Sequence, residues 1–191
     1  MKIPVGISNR HVHLTKESVD ILYGEGYNLT KRNDLTQPNQ FACNEVVSIK
    51  TDKGIINNVR VLAPIRNYNQ IEISKTDSYK LGINPPVRNS GDLFDSLDVT
   101  LIGPKGEIKV KGCIIATRHI HISEEKAKEL NLKNNDIVRI KIDNIKGGIL
   151  DNVHIKIIKD AYFELHLDTD DGNAFMLNQQ DEVEILFNES A

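Results

Sequence analysis

The heptapeptide NRHVHLT at residues 9–15 returns as TRHIHIS at residues 117–123, an offset of 108. Each copy ends on a hydroxyl residue, Thr15 or Ser123, able to cap a helix that follows. A second self-match runs at an offset of 94, where GIINNVRVLAPIRNYNQIEISKTD (54–77) aligns without a gap on GILDNVHIKIIKDAYFELHLDTDD (148–171). Gly54 meets Gly148, Asn58 meets Asn152, Val59 meets Val153, Tyr68 meets Tyr162 and Asp77 meets Asp171. The offsets differ because the first copy carries extra residues around 24–44. A chain written this way is built from two related units.

Those units read as β. EVVSIKT (45–51), NVRVLAPI (58–65), QIEIS (70–74), DVTLIG (98–103) and EIKVKGCIIAT (107–117) alternate or run apolar with β-branched residues. DIVRIKI (136–142), NVHIKII (152–158), YFELHLD (162–168) and EVEILF (182–187) do the same. DKG, NPP, GPKG, NN, IKGG and DDGN separate them as turns. Helices are predicted over 15–23 and 123–131, with a third short one after Ser74. Many short strands with little helix point to barrels or a sandwich. Residues 24–44, polar and rich in turn formers, form an excursion from the first copy.

Composition narrows the function. A net charge of −3 over 191 residues gives no basic footprint for nucleic acid, and no polybasic run suits a membrane surface. No apolar stretch approaches the roughly 20 residues of a transmembrane helix. MKIPVGISNRH has no apolar core of a secretory signal. Cys43 and Cys113 stand far apart without a CxxC pattern, which suits two small buried thiols in a reducing cytosol.

The histidines carry the chemistry. On a strand, residues i and i+2 share a face roughly 6.5–7 Å apart, so His11 and His13 can converge on one ion, as can His119 and His121. One such pair alone is ordinarily a polar strand face. The repeat, however, supplies each pair with a third ligand-type residue, because Glu72 in IEI aligns with His166 in LHL. The sets His11/His13/Glu72 and His119/His121/His166 suit two borderline-soft ions, most simply zinc, each with an open coordination position. His154, opposite Arg60 in the alignment, reads as a non-ligand. Arg66 lies in the connection before Glu72, where its forked guanidinium would favour an anionic substrate beside a cation. Without metals it would read as a surface ion pair. The polar turn RNSGDL (88–93) is a weak candidate for holding phosphate by backbone N–H groups.

SNRHVHL, RNYNQIEISKTD, RNSGDL, RHIHIS and HLDTDDGNA, in this order over nearly the whole chain, resemble the phosphate propanoyltransferases, the PduL-type phosphate acyltransferases. The resemblance implies a mainly β fold of two related small β-barrels in tandem, capped by short α-helices, with a two-zinc site at their interface. It implies one barrel over 10–117 and a second over 118–191 completed by the N-terminal strand 1–9. The implied reaction is acyl-CoA plus phosphate to acyl phosphate plus CoA, with acetyl- or propanoyl-CoA as donor. By position, His11, His13 and Glu72 would hold the zinc that takes the CoA sulfur, and His119, His121 and His166 the other. Arg66 would bind phosphate as the catalytic arginine, and Ser8, Arg60, Leu62 and Asn173 would line the CoA site. Members housed in bacterial microcompartments carry an extension before the first strand. Its absence here sets up the expectation of a free bacterial cytoplasmic form, paired in function with an acetate or propionate kinase. The sequence leaves the preferred acyl chain, the native metal and the oligomeric state open, a homo-oligomer included.

Two rivals share the H-x-H pattern. A two-metal hydrolase of the amidohydrolase kind needs a (β/α)₈ barrel of roughly 250 residues, more than this chain offers. A cupin-like metal- or ligand-binding module also places H-x-H with Glu and His on barrel strands, but has no need of Arg66 or RNSGDL. No Ser or Cys nucleophile with an adjacent base is evident, which favours direct transfer over an acyl-enzyme.

Overall fold

A computed structural model describes residues 1–187. In chain order the elements are β1 (Lys2–Ser8), β2 (His11–His13), α1 (Lys16–Tyr23), β3 (Lys31–Asp34), β4 (Phe41–Lys50), β5 (Ile55–Ala63), β6 (Gln70–Glu72), α2 (Lys75–Leu81) and β7 (Val87–Arg88). There follow β8 (Leu97–Ile102), β9 (Glu107–Ala116), β10 (His119–Ile122), α3 (Glu124–Glu129), β11 (Ile137–Ile142), β12 (Gly148–Ile157), β13 (Glu164–Asp168), α4 (Thr169–Ala174) and β14 (Glu182–Leu186). The chain divides into two compact units, one of Asn9–Ala116, the other of Met1–Ser8 with the described residues from Thr117 onward.

In the Asn9–Ala116 unit the strands close in the order β4-β5-β2-β6-β9-β8 and back to β4, a six-stranded barrel. β3 pairs with β4 outside the ring, and β7 with β9. Closure removes the free edges that such short strands would otherwise present. Alternation does the filling: Val12, Val47, Ile49, Val59, Val61, Ile71, Leu101 and Cys113 turn inward and form one buried core with Leu14, Leu22 and Leu81.

The other unit closes as β1-β13-β10-β12-β11-β14. Its core is Ile3, Val5, Ile120, Ile122, Val138, Ile140, Val153, Ile155, Leu165, Leu167, Val183 and Ile185. The two rings match strand for strand. β1 runs parallel to β13 with Val5 opposite Leu165, as β9 runs parallel to β6 with Cys113 opposite Ile71. Each ring is therefore completed by the strand that precedes the other ring's H-x-H in the chain. The repeated asparagines acquire a reason too. Asn58 and Asn152 sit at matching register shifts in the β4–β5 and β11–β12 hairpins, with φ of 58° and 57°. That left-handed conformation is one Asn tolerates better than most residues.

The helices begin at the expected hydroxyls. Thr15 Oγ1, Ser74 Oγ and Ser123 Oγ accept the N–H of Ser18, Asp77 and Lys126 in turn. The third helix is shorter than the 123–131 expected and ends at Glu129. A fourth, α4, occupies the DDGN stretch that reads as a turn. Asp168 caps it by accepting Asp171 N–H, two acids fill its first turn, and it is the counterpart of α2 at the 94-residue offset. Its Gly172 packs closely on β1, where a Cβ would stand 2.9 Å from Ile7 Cδ1 and make that side chain shift. The excursion at 24–44 also holds structure, the exposed strand β3. It is pinned by Glu45, whose buried carboxylate accepts from Tyr27 Oη at 2.8 Å and Thr30 Oγ1 at 2.7 Å.

Candidate functional site

β2 and β6 build the first constellation. They pair antiparallel with His11 opposite Glu72 and His13 opposite Gln70, so four polar side chains share one patch of strand face. One ligand atom each from His11, His13 and Glu72 lies within 4.8 Å of the others, and His11 Nε2 is 3.4 Å from Glu72 Oε2. The His11 ring is set from behind: Nδ1 stands 2.9 Å from the Asn9 carbonyl, which fixes its proton there and leaves the Nε2 lone pair facing Glu72. His13 is 3% exposed and its Nδ1 has no hydrogen-bond partner among the described residues. Burial, then the neighbouring His11 and Arg66, holds its pKa down to about 2, so the imidazole is neutral, the form that ligates metals.

The other unit repeats the layout with a different third residue. His119 lies opposite His166 and His121 opposite Glu164 across β10 and β13. Ligand atoms of the three imidazoles again fall within 4.8 Å of each other. His119 Nδ1 is 2.8 Å from the Thr117 carbonyl, the equivalent of the His11 brace. Neither ring nitrogen of buried His121 has a hydrogen-bond partner among the described residues. Burial, then His166, His119 and Lys156, drives its pKa far below the usual imidazole range.

An unpartnered buried polar atom costs about 1–3 kcal/mol. Two buried imidazoles with unpartnered nitrogens among the described residues, His13 and His121, one in each three-residue cluster, fit an ion held by N and O donors. The borderline donor set suits zinc or a similar transition metal.

The arginine before each pair is engaged in architecture. Arg10 grips Asp77 through Nε at 2.8 Å and Nη2 at 2.8 Å, and Arg118 grips Asp171 at 2.8 and 2.7 Å. These forks tie each H-x-H strand to the first turn of the helix that follows its third ligand. Asp171 holds the Arg118 pKa above its ordinary value.

Arg66 is different. Its backbone N–H is fixed to the Leu14 carbonyl, and its Nη1 donates to Tyr68 Oη at 3.2 Å with the guanidinium 5.6 Å from that ring. Among the described residues no carboxylate pairs with it. Of the other expected residues, Arg60 and Leu62 stand on β5 opposite His11 and His13. Arg60 Nη1 donates to the carbonyls of Cys43 and Asn44, each at 2.9 Å. Ser8 ends β1 and Asn173 lies in α4, both in the other unit. His154 falls opposite His119 on β12 but outside the ligand cluster, with Nδ1 buried and unpartnered. Two N–H groups of the RNSGDL turn are already committed: Gly91 donates to Gln70 Oε1 at 2.7 Å and Asp92 to the Asn89 carbonyl.

Two residues escaped the sequence reading, Gln70 and Glu164. Both are fully buried and each touches the third ligand of its own set. They align with each other at the 94-residue offset, which was the available signal.

The profile of the phosphate propanoyltransferase family matches residues 4–178. A Thermotoga maritima protein named phosphate propanoyltransferase is 48% identical over 186 residues, covering 96% of this chain and 89% of its own. A namesake from Lachnoclostridium phytofermentans is 44% identical over 186 residues, 96% and 87% of the two chains. One from Rhodopseudomonas palustris is 40% identical over 185 residues, 96% and 82%.

Proposed function

The chain belongs to the phosphate propanoyltransferase family and is an acyltransferase, and on that premise we propose that it is zinc-dependent. The reaction is the exchange of an acetyl or propanoyl group between coenzyme A and inorganic phosphate. The observation that carries the metal reading is the pair of three-residue clusters at equivalent barrel positions, each including a buried imidazole with a nitrogen that has no partner among the described residues.

In this reading His11, His13 and Glu72 would hold one ion, the one assigned to CoA, and His119, His121 and His166 would hold the second. Bound zinc would supply Lewis acidity toward the thioester carbonyl and the departing thiolate. Arg66 binds phosphate. Its guanidinium, free of any carboxylate among the described residues, offers a fork for two phosphate oxygens, and Tyr68 Oη steadies it by accepting one N–H. Arg60 and Leu62 in one unit, and Ser8 and Asn173 in the other, are the positions proposed to contact CoA. Arg60 is braced for this by the two backbone carbonyls it already serves.

Transfer is direct. Cys43 and Cys113 are buried, and desolvation pushes both thiols up to about 12, which removes them as nucleophiles. Two buried free thiols also suit a reducing cytosol. Among the described residues no helix is long and apolar enough to cross a membrane. Acyl phosphate is a high-energy product, and an acetate or propionate kinase is the functional partner that would draw on it.

The test is phosphate-dependent release of CoA thiol from acetyl- and propanoyl-CoA, before and after chelator and after zinc is restored. Release that needs both phosphate and metal supports the reading. Release that survives complete metal removal contradicts it.

A further inference from the structure

Position 70 and its repeat partner 164 differ in chemistry, and so do the residues they serve. Each lies two residues before the third ligand of its set and opposite the second histidine of an H-x-H. Each is 0% exposed. Gln70 Nε2 donates to Glu72 Oε1 at 2.5 Å, an amide serving a carboxylate. Glu164 Oε2 lies 2.8 Å from His166 Nε2, a carboxylate serving an imidazole. As the third ligand changes from acceptor to donor, its neighbour changes from donor to acceptor. Each set thus keeps one carboxylate, at 72 in one unit and at 164 in the other.

A fully buried carboxylate is costly unless its surroundings are built for it. Here they are. Gly6 pairs with His166 across β1 and β13, and a Cβ at Gly6 would stand 3.0 Å from both the carboxyl carbon and Oε2 of Glu164. On the other side Gln180 Nε2 donates to Oε1 at 3.0 Å, and the Gln180 N–H is itself fixed to the Val5 carbonyl.

We propose that Glu164 is the positioning residue of the second metal set, accepting the Nε2–H of His166 and leaving the Nδ1 lone pair for the ion. It supplies from behind the negative charge that Glu72 supplies as a ligand in the first set. A carboxylate behind a ligating histidine fixes ring and tautomer and raises ligand basicity, and its loss weakens metal binding by about 10–100-fold. The inference rests on the two-ion reading above and goes beyond it in assigning a residue outside both ligand sets.

The experiment titrates metal-free full-length protein with Co²⁺ against a chromophoric chelator and records the visible spectrum of each binding step. His119→Ala identifies the step that belongs to the second set. Glu164→Gln keeps the shape and an acceptor oxygen but removes the charge. It should weaken that step by about tenfold or more, alter its spectrum and leave the other step unchanged. Gly6→Ala, which crowds the carboxylate without touching its charge, should weaken the same step; if Glu164→Gln fails to fold, Gly6→Ala alone decides. The proposal is overturned if the second-set step keeps its affinity, or if both steps weaken together with a fall in metal-free stability. Wild type that binds fewer than two ions overturns the two-ion reading itself.

Discussion

Metal-free protein should lose stability over a pH range where most globular chains hold theirs. Burial holds His13 at about 2 instead of 6.5 and pushes His121 down more strongly still. Above 6.5 both are neutral whether the chain is folded or not, so they contribute no pH dependence. Below 6.5 the unfolded chain takes up protons that the native sites refuse, so stability falls with pH, for His13 until about 2. At pH about 5.5 each imidazole costs RT ln(1 + 10), about 1.4 kcal/mol, and the two together about 3 kcal/mol. For a chain of this size that lowers Tm by about 6–12 °C. In the window from pH about 7.5 to about 5.5 carboxylates stay ionised, and comparison with variants of His13 and His121 separates these two imidazoles from the other four histidines. The assay is differential scanning calorimetry of chelator-stripped protein across it, with His13→Leu and His121→Leu alongside. Each variant should remove about half of the slope. A Tm that stays level in the wild type would mean that the ligand cradles admit protons, and the argument that they are built for a metal ion would fail.

Arg66→Ala should raise the Michaelis constant for phosphate by one order of magnitude or more. Two charge-assisted hydrogen bonds are lost at about 1.5–3 kcal/mol each, against about 1.4 kcal/mol per factor of ten. The constant for acyl-CoA should move far less, and Arg66→Lys should rescue only in part, since it keeps the charge and loses the fork. An unchanged phosphate constant would make Arg66 a surface residue. His154→Ala should keep both metal equivalents, whereas His11→Ala and His121→Ala should each lose one along with activity; elemental analysis decides. Cys43→Ser and Cys113→Ser should keep turnover per folded molecule while lowering Tm, because each puts a hydroxyl into a core position. Lost turnover with intact metal content would point to an acyl-enzyme.

The barrels and the clustering of the two candidate ligand sets were legible in the sequence because both are written in period two and written twice. His11 and His13 share a strand face by spacing, as do His119 and His121, and Glu72 and His166 are found by aligning the two copies. What escaped was non-periodic or differed between copies. Gln70 and Glu164 are aligned but unlike, and each reads as an ordinary strand residue until its neighbour on the same face is seen to need it. The partners of Arg10 and Arg118 carried no sequence signal, because their forks are spent on Asp77 and Asp171, acids 67 and 53 residues away in sequence. α4 hid behind Gly172 and three aspartates, residues that favour turns until Asp168 caps them into a helix. β3 is exposed along its length, so no apolar alternation announces it.

The most direct test of the central claim counts metal and turnover in one sample. Metal-free protein is titrated with zinc while phosphate-dependent release of CoA from propanoyl-CoA is followed. The account predicts two equivalents bound per chain, with activity absent before the titration and complete at its end. Full phosphate-dependent activity in protein shown to hold no metal would contradict it, as would two bound equivalents without any transfer to phosphate.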